Sequence, residues 1–409
     1  MITLHAAQRY LIYATVLFGP LGSLLSPSFL PYAFRFYYFF LLIFPLFFIN
    51  LQKYQWQATL AFIPFLSYCL ISAYFTHNKE IASDAHPLFR SLLLVSQCLF
   101  MFGAAFALSK RDQEKEKKRL IYLYLIGFFL SLLVGYIFFI GYYSHTISFS
   151  TIQKYSVEAQ MGWGLLRFSP GSYANEYGNV ASFALSILLL LYAQKKKFWL
   201  LCFIPLTFLA LLLTTTRAAY FSFFITLVYL SLTQKIVRRR LIKFFIFALA
   251  LLFILKAYSI DFFKIFIAAF KTISLTSGST GTRVSTWLEA LQELNTNILF
   301  GNGFGANMQV HNVYSILLFE LGLIGCLILI ITLIYHFSNN SLRIQTLFSS
   351  RTFSSQIVII GLIHITLFAL TNHNMHHHLT WFVLLLSNSS YAKRDFGAPQ
   401  QSDSFLNLG

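Results

Sequence analysis

Charged residues are scarce in this chain: they make up 11% of its 409 residues, against 57% hydrophobic and 18% aromatic. Apolar runs of membrane-spanning length recur from end to end, so a soluble fold is excluded by composition. Carboxylates are scarcer still, 13 against 30 lysines and arginines, for a net charge of +17. In a soluble protein that excess would point to nucleic acid. Here the basic residues lie in short clusters between apolar runs, where they set orientation, and a nucleic-acid partner is rejected. Cys69, Cys98, Cys202 and Cys326 sit singly in apolar segments without CxxC spacing, which argues against a disulfide framework and a zinc site. The N-terminal region has no small-residue cleavage site, so its first apolar run reads as an uncleaved span.

What is present is an all-α pattern, a polytopic membrane bundle of about twelve spans at roughly 20 apolar residues per crossing. The predicted spans are Tyr10 to Leu25, Phe34 to Asn50, Trp56 to Phe75, Leu88 to Leu108, Leu120 to Tyr143 and Asn179 to Ala193. They continue with Phe198 to Thr214, Ala218 to Leu232, Leu241 to Tyr258, Val313 to Tyr335, Phe353 to Leu370 and a short His377 to Tyr391. The basic connectors Lys110 to Arg119, Lys195 to Lys197, Lys235 to Lys243 and Lys393–Arg394 each follow an even number of spans. They therefore share one side, and both termini are expected on the cytoplasmic side of the membrane.

This divides the chain into an N-terminal bundle (1–143), a first long periplasmic loop (144–178), central spans (179–258), a large periplasmic loop (259–312), C-terminal spans (313–391) and a cytoplasmic tail (392–409). Long loops on the outer side are where function is expected. In the larger one, SIDFFKIFIAAFKTI sets Asp261, Lys264, Ala268 and Lys271 on one helical face, a pattern for a helix in the membrane interface. After a turn-rich stretch, TRVSTWLEALQEL has Val284, Trp287, Leu288, Leu291 and Leu294 at helical spacing. A helical periplasmic layer before the tenth span is therefore predicted.

Candidate functional residues gather on that side. Arg217, in LLLTTTRAAYFSFF, sits at an outer span end, where a guanidinium is disfavoured; it either snorkels to headgroups or clamps an anion. Arg283 follows Thr280, Gly281 and Thr282 at the expected start of the loop helix, where free N–H groups would favour a diphosphate; the alternative is a solvated arginine. His311 and Asn312 open a span after the turn Gly301-Asn302-Gly303-Phe304-Gly305, which lacks the spacing of a dinucleotide fingerprint. A histidine there can take a proton from a hydroxyl or be merely structural, and Asn312 beside it is expected to contact the substrate. In RFSPGSYANEYG, Arg167, Asn175 and Glu176 can bind sugar hydroxyls or phosphate, or belong to a capped turn before a helix. His373, His376, His377 and His378 lack an accompanying carboxylate, so contacts to sugar or headgroups are expected there and no metal.

TTTRAA at a span start, GTRVSTWLEAL in the outer loop, the GNGFG turn and HNVYSILLFELGLIG running into the next span together resemble the O-antigen ligase/polymerase superfamily. That superfamily includes lipopolysaccharide O-antigen ligases, O-antigen polymerases and protein O-oligosaccharyltransferases. The motif likeness covers about the last half of the chain, and RFSPGSYANEYG looks most like the corresponding loop of polymerase-type members. The resemblance implies a glycosyltransferase of the bacterial inner membrane, active on the periplasmic side without metal or cofactor. Its donor would be an undecaprenyl-diphosphate-linked glycan and its acceptor another glycan or lipid A-core. It further implies that Arg217 and Arg283 hold the diphosphate and that His311 activates the acceptor hydroxyl. A transporter or flippase is the alternative; it would be expected to show charged residues inside spans, broken helices near the midplane and an internal repeat, and no repeat is visible.

Overall fold

The computed structural model describes residues 4–24, 35–43, 62–76, 86–109, 113–156, 161–162, 165–195, 199–235, 237–240, 278–294, 297–306, 310–339, 352–372 and 376–388, with isolated positions between 246 and 267. Apart from one short antiparallel ribbon, the regular structure among them is helical. The helices are α1 (Leu4–Phe18), α2 (Phe36–Ile43), α3 (Ile63–Thr76), α4 (Pro87–Ser109), α5 (Gln113–Tyr143), α6 (Phe149–Tyr155), α7 (Ala174–Lys195), α8 (Trp199–Leu213) and α9 (Arg217–Thr233). After them come α10 (Gly278–Leu294), α11 (Val313–Asn339), α12 (Phe353–Ala369) and α13 (His378–Asn388). The ribbon, Met161–Gly162 with Leu165–Leu166, lies between α6 and α7.

Among the described residues, 4 helical stretches are long and apolar enough to cross a membrane: Pro87–Ala104, Glu114–Tyr143, Ala174–Gln194 and Val313–Tyr335. Other predicted spans correspond to shorter apolar helices, among them Ile63–Thr76, Cys202–Leu213, Arg217–Thr233, Phe353–Ala369 and His378–Ser387. The predicted span Leu241 to Tyr258 and the interfacial helix expected from SIDFFKIFIAAFKTI lie almost wholly outside the described residues.

The helix α7 is the hub: 94% of its spanning window is buried, against 39% for α5 and α11 at the periphery. On α5 the outward stripe is Ile126, Leu130, Leu133, Ile137 and Ile140, and on α11 it includes Leu323, Leu327, Ile330 and Ile334. The inward face of α5 is apolar as well, with Tyr124, Leu125, Phe128 and Leu132 buried. A helix apolar on both faces suits a bilayer and not water.

Two ends of the bundle are distinguished by what binds there. At one end, the first turn of α5 is held by Tyr13, whose hydroxyl donates to Glu116 Oε2 (2.5 Å), and by Arg119, which donates to Glu116 Oε1 (3.0 Å). Ser354 donates to Glu114, and Arg240 to the Tyr192 carbonyl, so the start of α12 and the end of α7 share this basic end. At the opposite end, Ser23 N donates to Gly171 O (2.8 Å), Thr216 Oγ1 to Ala174 O (3.1 Å) and Phe304 N to Ser72 Oγ (2.8 Å). That end brings together the region after α1, the end of α3 and the starts of α7 and α9.

The helix α11 is broken at Gly322, whose φ of 63° and ψ of −170° are non-helical. The break frees carbonyls and N–H groups that lipid could not satisfy. The segment 298–303 supplies the partners: Asn302 N donates to Phe319 O (2.8 Å) and Gly303 N to Glu320 O (3.0 Å). In the other direction Leu323 N donates to Ile298 O and Ile324 N to Leu299 O, both at 3.0 Å. The Tyr68 hydroxyl lies 2.9 Å from Leu321 O and 3.1 Å from Phe300 O. A Cβ on Gly301 (φ 73°) would lie 2.5 Å from Gly322 N and 2.6 Å from the Glu320 carbonyl.

Gly301→Ala therefore meets backbone as well as an unfavourable φ, and is expected to cost at least about 1–2 kcal/mol. Thermal unfolding of the detergent-solubilised variant should show a lowered midpoint; an unchanged midpoint would mean that the two segments are not in this contact.

Candidate functional site

The turn before α9 is where Arg217 is set. Thr215 has φ 52°, and Thr216 is the extended residue that precedes the helix. A left-handed threonine needs outside support. It comes from the first long loop: Arg167 Nε donates to Thr214 O (3.0 Å), and its Nη2 to Thr216 Oγ1 and Asn175 Oδ1 (both 3.1 Å). Phe168 N donates to Leu213 O (3.1 Å), and Gly178 packs so closely that a Cβ there would lie 3.0 Å from Thr214, Thr216 and Ala219. Arg167 and Asn175, expected at a substrate, are here the clamp that holds the TTTR turn. Arg217 begins α9 half-buried.

Glu176, the third residue expected from that loop, is fully buried. It is ion-paired with Arg35 and accepts from Ser172 Oγ (2.8 Å). The helix α7 starts at Ala174, earlier than the predicted Asn179, which places this carboxylate in the first turn, where the helix dipole favours it.

Arg283 lies within α10, which begins at Gly278. This corrects the expectation that Arg283 follows exposed N–H groups at a helix start: Thr282 and Arg283 are already inside the helix, so only the guanidinium is left to hold an anion. Arg283, Trp287, Ala290 and Leu294 recur at helical spacing, and Trp287 and Ala290 pack on Val310, Ile316 and Phe319. The face of α10 that carries Arg283 thus turns toward the segment containing His311. Burial, and then the like charge of Arg217, lower the Arg283 guanidinium from its ordinary value. Among the described residues no ion pair joins a carboxylate to Arg283. Guanidiniums that act on each other through their like charge suit a multivalent anion.

His311 is half-buried. Asn312 caps α11, its Oδ1 accepting from Tyr314 N (2.9 Å) and Ser315 N (3.2 Å). Its oxygen is thereby committed to the backbone. The GNGFG turn serves the break in α11 described above, and Arg90 holds it there: its Nη1 donates to Glu320 Oε1 (3.0 Å) and its guanidinium lies 5.1 Å from the centre of the Phe304 ring.

The histidine run differs from expectation. His376, His377 and His378 are buried, not presented to sugar or headgroups. The Gln97 amide accepts from His376 Nδ1 (3.0 Å) and donates to His376 O (3.1 Å), which also accepts from the Tyr37 hydroxyl (3.1 Å). His378 Nε2 lies 3.2 Å from the Tyr124 hydroxyl. Among the described residues no group of three or more His, Cys, Asp and Glu is arranged to hold a metal; His373 lies outside them.

Arg35, Arg90 and Glu320 were not singled out from the sequence. Glu320 had a readable signal, a lone carboxylate in the apolar run SILLFELGLIG, which requires a cationic partner. Compared with known proteins, the chain matches no family model and no curated protein.

Removing one member of a buried ion pair strands the other. Glu176→Ala is expected to cost about 3–5 kcal/mol and Arg35→Met with Glu176→Leu to recover most of it, read as folded yield and unfolding midpoint. A double variant as unstable as the single would contradict the pairing.

Proposed function

We propose that the chain is a metal-independent glycosyltransferase of the bacterial inner membrane. It moves a glycan from undecaprenyl diphosphate to an acceptor hydroxyl at the periplasmic face, in polymerisation or ligation of O-antigen or another surface polysaccharide. The observation that carries this reading is the packing of the α10 face that bears Arg283, through Trp287 and Ala290, on Val310, Ile316 and Phe319 around His311; the like charge of Arg217, at the bundle end opposite the basic connectors, also acts on Arg283. A diphosphate is the lipid-borne group that two such guanidiniums match best.

In this reaction the acceptor oxygen attacks the anomeric carbon while the bond from that carbon to the diphosphate oxygen breaks. The electron pair leaves with the diphosphate, whose growing negative charge Arg217 and Arg283 neutralise. The acceptor's proton passes to His311, a group whose ordinary pKa of about 6.5 suits that task. Arg167 and Asn175 act through Arg217 by holding its turn. The acceptor is a glycan chain or lipid A-core.

The break at Gly322 favours a second reading, a transporter or flippase of lipid-linked glycan, because broken helices in such proteins mark substrate paths. Against it, the break is closed by backbone hydrogen bonds from 298–303.

The surface-polysaccharide gel profile of a deletion strain separates these readings when it is complemented with wild type, Arg217→Ala, Arg283→Ala or His311→Ala at matched expression. Lipopolysaccharide carrying a single repeat unit identifies a polymerase. Loss of all attached repeats with lipid-linked polymer accumulating on the periplasmic side identifies a ligase. Each point variant is expected to lose on the order of 10²-fold in product. Lipid-linked repeats trapped on the cytoplasmic leaflet would establish the flippase instead, and an unchanged profile would remove this polysaccharide as the product.

A further inference from the structure

We infer that the Arg90–Glu320 ion pair is a positioning device for His311, resting on the reading of His311 as the group that receives the acceptor's proton. The break in α11 makes such a device necessary. Residues 313–321 form a short half-helix, fixed at its start by the Asn312 cap, directly after His311, and ending at Gly322. A half-helix of this length has too few internal hydrogen bonds to hold its own direction. Its orientation must come from what grips its two ends.

The C-terminal end is gripped by two independent sets of contacts that meet at Glu320. The backbone of Glu320 accepts from Gly303 N (3.0 Å), and its carboxylate accepts from Arg90 Nη1 (3.0 Å). Arg90 also covers the ring of Phe304, and Phe304 N donates to Ser72 Oγ on α3 (2.8 Å). One guanidinium from α4 thus locks the half-helix and the 298–305 segment against each other. Val310, which adjoins His311, packs in one cluster with Ala306 at the end of that segment. Both ends of the segment bearing His311 are therefore referenced to Arg90.

The pair is buried, with side-chain exposures of 3% and 0%. Neither partner can trade the other for water, so loss of either charge must be answered by movement. The half-helix carries one partner of the pair, and His311 directly precedes its other end. A shift there changes the angle at which the imidazole meets an acceptor hydroxyl while leaving Arg217, on a separate turn clamped by Arg167, where it is.

The test uses the full-length protein in lipid nanodiscs, as wild type, Glu320→Gln and Arg90→Lys, each confirmed monodisperse. Diethyl pyrocarbonate modification of His311 is followed by mass spectrometry, with the exposed His145 as internal reference. In both variants the rate at His311 relative to His145 should change by about threefold or more, the lower range for residues coupled through one network. With lipid-linked donor, kcat should fall by on the order of 10²-fold, as for a misplaced catalytic group, with a smaller change in donor KM. A His311 rate unchanged in both variants overturns the inference. His311 reactivity altered in both variants, together with a wild-type protein that transfers no glycan, would uphold the coupling and reject the transferase reading.

Discussion

Few carboxylates are available to this chain, and the site end of the bundle depends on where two of them are placed. Glu176 and Glu320 are both buried, and each is matched to one arginine, Arg35 and Arg90. In a low-dielectric interior an isolated charge is expensive, so each pair fixes its partners in register across a long stretch of chain. The first ties the first turn of α7 to the residue just before α2. The second ties the half-helix of α11 to α4. Arg283 is treated differently: among the described residues no carboxylate pairs with it, and the charge that acts on it is the like charge of Arg217. On the proposed reading, that positive charge is what a lipid-borne diphosphate would meet.

The backbone obeys the same constraint. A break in an apolar helix is tolerable only if its freed groups find partners, and 298–303 provides them with glycines whose positive φ permits the approach. The GNGFG turn is thus explained by what it satisfies, without appeal to a ligand. In the same way Arg167 commits its donors to the turn before Arg217. Much of the polar sequence at this end supports the candidate residues from behind.

Helix positions were largely legible in the sequence because apolar run length follows directly from rise per residue: Leu120 to Tyr143, Val313 to Tyr335 and Phe353 to Leu370 lie within or nearly coincide with helices. Boundaries slipped where polar residues continue a helix, at Ala174 and at Gly278. The break at Gly322 was hidden, since a glycine in an apolar run also suits unbroken helix packing. Arg167, Asn175 and Glu176 were visible as unusual polar residues, but their engagement with protein was not, because polarity alone does not say which partner is near. The pairings of Arg35 with Glu176 and Arg90 with Glu320 join residues 141 and 230 positions apart, and no local pattern encodes such a distance.

If Arg217 and Arg283 act as one clamp for a lipid-borne diphosphate, the two must bind it jointly. The most direct measurement is a double-mutant cycle of polyprenyl diphosphate and polyprenyl monophosphate binding to the purified protein in nanodiscs, using Arg217→Gln, Arg283→Gln and both together. A joint clamp predicts tighter binding of the diphosphate, a loss of about tenfold or more in each single variant and a double variant little worse than either, since groups that grip one ligand jointly are not additive. Equal affinity for the two lipids, with small and additive losses, would contradict it.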